Sequence, residues 1–119
     1  MLNLFLNSIT KKYFEINGRA NRKEYINFIL LYSVFTIIIF IPFFLISESV
    51  SIHIISVVID IVGIYIAIPC ITITIRRLHD LNVNGKWVLF YSLFSPLLFT
   101  LCFFKGTPNT NKYGEPPIN

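Results

Sequence analysis

Charge is what this sequence has least of. Asp, Glu, Lys and Arg together make up 13% of the 119 residues, against roughly a quarter in soluble domains. The shortfall comes in blocks. Tyr25–Ile46, Val50–Ile75 and Trp87–Phe104 hold between them a single residue of these four types, Asp60. Chemical motifs are scarce too. There is no Gly-rich phosphate loop, no HExxH, no CxxC and no nucleophile motif, so the sequence predicts no cofactor and no metal and argues against an enzyme. Cys70 and Cys102 both fall inside apolar runs, where a thiol acts as a small hydrophobe, and neither has a second cysteine at ligand spacing. Met1–Ile9 has no basic residue ahead of it and no long apolar centre, so it does not read as a cleaved signal peptide. The net charge of +4 does not point to nucleic acid. The basic residues flank the apolar runs, at the level of lipid headgroups, without a recognition helix or an aromatic platform.

What the chain does have is span-length hydrophobicity. About 20 apolar residues carry a helix across ~30 Å of hydrocarbon. Tyr25–Ile46 is launched by a capping box at Asn21-Arg22-Lys23-Glu24, in which Asn21 accepts from the Glu24 amide and the Glu24 carboxylate reaches back to the Asn21 amide. Ser47-Glu48-Ser49 forms a turn, and Val50–Ile75 follows. Trp87–Phe104 is short for a crossing and is interrupted by Pro96, which kinks a helix. The rival reading is a hairpin that dips in and returns at Ser95-Pro96. Ahead of the first span, Leu2, Phe5, Leu6, Ile9 and Tyr13 follow helical spacing and predict a short amphipathic helix lying in the interface, ended at Asn17-Gly18. Lys105–Asn119 is rich in proline and glycine and reads as a surface tail. The predicted fold is all-α: a polytopic membrane protein in one domain, residues 1–119, with three transmembrane helices, the third kinked at Pro96, and a short N-terminal interfacial helix.

The second span carries its polar residues on one side. His53, Ser56, Asp60, Gly63, Ala67, Cys70 and Thr74 recur at intervals of three and four, which places them on one seam, with Gly63 and Ala67 as a small-xxx-small pair for close helix approach. Asp60 is either a polar packing group or part of an ion or proton path.

Five basic residues, Lys11, Lys12, Arg19, Arg22 and Lys23, precede the first span, and Arg76, Arg77 and Lys86 lie between the second and third. The first loop has no Lys or Arg, so the positive-inside rule puts the N-terminus and the Arg76–Lys86 loop in the cytoplasm.

Three polar blocks carry a resemblance. They are Gly18-Arg19-Ala20-Asn21-Arg22-Lys23-Glu24-Tyr25, then Arg76-Arg77-Leu78-His79-Asp80 with Trp87 shortly after, and Gly106-Thr107-Pro108-Asn109 with Asn111-Lys112-Tyr113-Gly114-Glu115-Pro116. In this order around the apolar runs, they resemble the DUF805 family of small bacterial inner-membrane proteins similar to YhaH. The resemblance implies location in the bacterial inner (plasma) membrane and a topology class, and it supplies no reaction. Its motif residues Arg19, Arg22, Glu24, Arg76, Arg77, His79, Asp80, Asn111, Tyr113 and Gly114 are candidates for contact with an anion or a lipid headgroup, because arginine forks match phosphate oxygens.

Three functions remain open at this stage. The first is a non-catalytic protein binding anionic lipid headgroups, a second copy of itself or another membrane protein. The second is an oligomeric transporter or channel component using Asp60. The third is a lipid-active enzyme in which Arg19, Arg76 and Arg77 converge on a phosphate, with His79 and Asp80 as an acid/base pair.

Overall fold

The computed structural model describes residues 2–45 and 50–118, with side chains for all of these except 4, 42–45, 50–53 and 95. The expected turn at Ser47–Ser49 and the His53 side chain lie outside the described residues. Among the described residues five α-helices follow in order: α1, Leu2–Ile9; α2, Arg22–Leu45; α3, Val50–Asp80; α4, Val88–Leu93; and α5, Ser95–Thr100. No strand occurs among the described residues, only an isolated pairing of Asn111 with Gly114.

Among the described residues two helices, α2 and α3, are long and apolar enough to cross a membrane. The share of each apolar window buried inside the chain is 22% and 17%, far below what the core helix of a soluble protein would show. Ile37, Ile38, Ile54, Ile61 and Ile64 all point outward. The start of α2 follows half of the expected capping box. Asn21 Oδ1 accepts from the Glu24 amide at 2.7 Å, but the Glu24 carboxylate does not return to Asn21. It accepts from Arg76 at 2.8 Å and Lys12 at 3.2 Å, because two cations offer charge-assisted bonds that a neutral amide cannot match.

The third helix continues past Ile75 to Asp80, so the first five residues of the expected loop are helical. Nothing in Arg76–Asp80 breaks a helix, and the true stop is Asn82, at φ 59°. Asn82 N donates to His79 O at 3.0 Å and Val83 N to Leu78 O at 2.9 Å, a Schellman end with asparagine in the left-handed position. Within α3, Pro69 supplies no amide to the carbonyl of Tyr65. The Tyr13 hydroxyl donates to that carbonyl at 2.7 Å, and Thr72 Oγ1 donates to Tyr13 O at 3.3 Å. This pair of bonds fastens the segment after α1 to α3. The first helix itself packs Phe5 against Phe28, with ring centroids 5.3 Å apart.

Between Trp87 and Phe104 the chain does not form the expected single kinked helix. The two six-residue helices α4 and α5 meet at Phe94, whose φ of −122° and ψ of 83° are not helical. Pro96 lies in the first turn of α5, where its missing amide costs nothing. Each helix rises about 9 Å, well short of a crossing. The two ends of this segment come back together, since Trp87 and Phe104 line one cavity with Leu78 and Leu81 at the end of α3. Val88, Leu98 and Leu101 join Tyr25, Phe28, Ile29, Cys70 and Ile73 in the core, and the Tyr25 hydroxyl donates to Leu98 O at 3.0 Å.

Candidate functional site

The last turn of α3 presents carbonyls with no partner inside the helix, as every helix end does. Here the tail comes to meet the last of them: Thr107 donates to Asp80 O through its amide and its hydroxyl, each at 2.9 Å, while from the N-terminal side Ala20 N donates at 3.0 Å to Arg76 O, a carbonyl still inside the helix. Asn111 Nδ2 donates to His79 O at 2.9 Å. The negative end of the helix dipole also favours the cations gathered around it.

At the centre stands Asp80, buried between two arginines. Its Oδ1 accepts from Arg19 Nε at 3.0 Å and Nη2 at 2.8 Å, and its Oδ2 accepts from Arg77 Nη1 at 2.5 Å. The remaining donors of Arg19 go to the tail: Nη1 to Asn109 O at 2.9 Å and to Gly114 O at 3.3 Å, and Nη2 to Thr107 O. All five N–H groups of this guanidinium are therefore used within the chain. Arg77 bonds in addition to the carbonyls of Leu101, Ala20 and Phe104. The fit is close, for a Cβ on Gly106 would sit 1.9 Å from Asp80 Oδ2.

Around this pair the other motif residues fall into place. Arg76 pairs with Glu24 as described, itself almost fully buried. His79 does not pair with Asp80. Its Nδ1 lies 3.2 Å from Gly18 O, and its ring stacks on Tyr113 at 3.9 Å with 9° between planes. Asn111 and Gly114 close a turn with two backbone bonds of 3.1 and 3.0 Å, and Gly114 takes φ 121° there, a conformation that favours glycine. Asn111 Oδ1 also receives the Tyr113 amide at 2.9 Å. Arg22 gives its Nε to Cys102 O at 2.6 Å and is otherwise exposed.

The seam of α3 faces α2. Cys70 and Thr74 are buried there, while Ala67, Gly63 and Asp60 line a groove of about 320 Å³ shared with Tyr32, Phe35 and Thr36. Asp60 is exposed in that groove, Ser56 is half-buried, and a Cβ on Gly63 would meet nothing within 4 Å. No group of three or more His, Cys, Asp or Glu able to hold a metal occurs among the described residues.

A family model described as a protein of unknown function (DUF805) matches residues 13–115, a stretch that takes in the blocks around Arg19, Asp80 and Asn111. The chain belongs to the DUF805 family. Among relatives, the inner membrane protein YhaI of Escherichia coli (strain K12) is 33% identical over 121 residues, covering 92% of each chain. The inner membrane protein YhaH of the same organism is 30% identical over 115 residues, again with 92% of each chain covered. No solved structure matches. In this DUF805 chain Gly106 and Thr107 were read only as part of a resembling block and Tyr13 only as part of the N-terminal apolar pattern, without their roles here, and Pro69 was not singled out, although a proline inside a span frees the carbonyl four residues earlier.

Proposed function

We propose that this chain is a non-catalytic integral protein of the bacterial inner membrane that crosses twice, with α2 and α3, and dips α4 and α5 into the cytosolic leaflet. Both ends of the chain and the Arg76–Lys86 segment then face the cytosol, and all ten basic residues lie on that side, as the positive-inside rule favours. The observation that carries this reading is the meeting of Arg19, Asp80 and the 106–114 tail in one ion-paired cluster. Segments so joined lie on the same side of the bilayer.

With its donors spent on Asp80 and the tail, Arg19 acts as a lock holding three segments in register. The headgroup role considered for it passes to the cations outside the lock, Arg22 and Lys105. The platform binds anionic headgroups, and the open surface at Gly63 and Ala67 receives a second copy or another membrane helix. A C-terminal reporter decides the topology: GFP fused after Asn119 fluoresces and alkaline phosphatase at the same point is inactive. The reverse pattern refutes it.

The exposure of Asp60 in the groove between α2 and α3 favours one second reading, a subunit of an oligomeric transporter or channel. Flux into proteoliposomes that Asp60→Asn abolishes would support it, and wild-type flux equal to that of empty vesicles would dismiss it.

A further inference from the structure

Two cavities of different character share Lys105. One, of about 380 Å³, is walled by Leu78, Val83, Trp87, Phe90, Leu101 and Phe104, with Lys105 as its single charged residue. The other, of about 340 Å³, is lined by Arg22 and Lys105, by the Arg19–Asp80–Arg77 lock, and by tail residues including Pro108 and Pro116. Each falls within the ~300–1,000 Å³ typical of ligand sites. The second cavity sets four cations, Arg19, Arg22, Arg77 and Lys105, against one acid, Asp80. Within the lock the two guanidiniums outnumber the carboxylate by one, so the cavity stays cationic even with the lock closed. Arg22 contributes only its Nε to the chain, and Lys105 makes no hydrogen bond or ion pair among the described residues. Both therefore keep donors for something outside the protein.

An inorganic anion would leave the aromatic cavity empty, and an apolar molecule would leave the cations without counter-charge. A molecule with a hydrocarbon chain beside an anionic head fits both. We infer that the two cavities form one site for an anionic phospholipid, with an acyl chain against Trp87, Phe90 and Leu101 and the phosphate between Arg22 and Lys105. The inference rests on the cytosolic-platform reading above and deepens it. The docked tail, which lines the headgroup cavity, becomes part of the binding site as well as a fastening.

Trp87 is the only tryptophan in the chain and lines the acyl cavity, so it reports occupancy directly. The full chain is reconstituted in phosphatidylcholine vesicles doped with lipid brominated on the acyl chains, carrying either a phosphatidylglycerol or a phosphatidylcholine head. Brominated phosphatidylglycerol quenches Trp87 at lower mole fraction, with a preference on the order of thirtyfold from two cations near the headgroup at ~1 kcal/mol each. Lys105→Gln, which breaks no bond within the chain among the described residues, lowers that preference by roughly fivefold. Arg22→Gln does the same, with its thermal unfolding followed alongside because the bond to Cys102 is lost. Equal quenching by the two lipids overturns the inference. If vesicle flotation still shows an anionic preference in that case, the platform reading survives without the cavity. Restored Trp87 fluorescence on adding inorganic phosphate assigns the site to free phosphate and overturns the lipid assignment, and a C-terminus found outside the cell refutes both.

Discussion

Asp80→Asn removes one charge and keeps nearly the same shape. The carboxylate lies between guanidiniums with 1% and 0% side-chain exposure, so neither Arg19 nor Arg77 can turn to water for compensation. Taking one partner from a buried ion pair costs ~3–5 kcal/mol, a large share of the ~5–15 kcal/mol that holds a whole domain together. The loss should appear first in the tail. Residues 105–118 are mostly exposed and depend on Asp80 O, His79 O and the Arg19 guanidinium for attachment, whereas α2 and α3 keep their own backbone bonds and hydrocarbon contacts. Local opening of the tail then becomes roughly a hundredfold to a few thousandfold more frequent, at ~1.4 kcal/mol per tenfold. Hydrogen exchange by mass spectrometry in detergent reads this directly, comparing peptides from 105–118 with peptides from 64–75. Tail exchange that does not change, or that rises equally in both regions, would refute the claim that Asp80 is the hub. A double-mutant cycle with Arg19→Gln adds a second check, since two changes on one ion pair must cost less together than the sum of each alone.

Tyr13→Phe leaves the Tyr65 carbonyl without a donor, because Pro69 has no amide to offer, at a cost of ~1–3 kcal/mol. In a P69A background the restored amide takes that carbonyl and the same change costs under about 1 kcal/mol. Thermal unfolding of the four variants tests the coupling, and equal costs in both backgrounds would sink it. Gly106→Ala drives a methyl group into Asp80 Oδ2 and releases the tail as Asp80→Asn does, while Gly63→Ala, with open space around it, leaves tail exchange untouched. A Gly106→Ala protein with normal exchange would show that the close packing is not required.

The long apolar runs were legible because hydrocarbon imposes a length and a polarity that composition reveals directly. The start of α2 could be read at Asn21, whose side chain caps the Glu24 amide. The other half of that capping box could not, because Arg76 lies 52 residues away in sequence and local pattern carries no record of it. The same limit explains the end of α3. Arg76-Arg77 reads as a membrane edge, yet the helix runs on until Asn82 takes the left-handed conformation, and the tail residues Thr107 and Asn111 donate to the carbonyls of Asp80 and His79. For residues 87–104, hydropathy counted enough apolar residues for a crossing but could not see that Phe94 leaves the helix. The tail was hardest, since Thr107, Asn109 and Gly114 contribute main-chain oxygens to Arg19, and every residue type has one. The motif arginines and Asp80 were found from the resemblance. What each of them bonds to came from the geometry.

The wrapping of the tail around Arg19 has a consequence for biogenesis. A residue made among the first twenty waits for partners made after the hundredth, so the lock closes only once the ribosome has delivered the 106–114 segment, after both long apolar helices have been made. A polypeptide released short of residue 106 leaves Arg19 without any of its three tail carbonyls, so its guanidinium keeps only Asp80 as a partner.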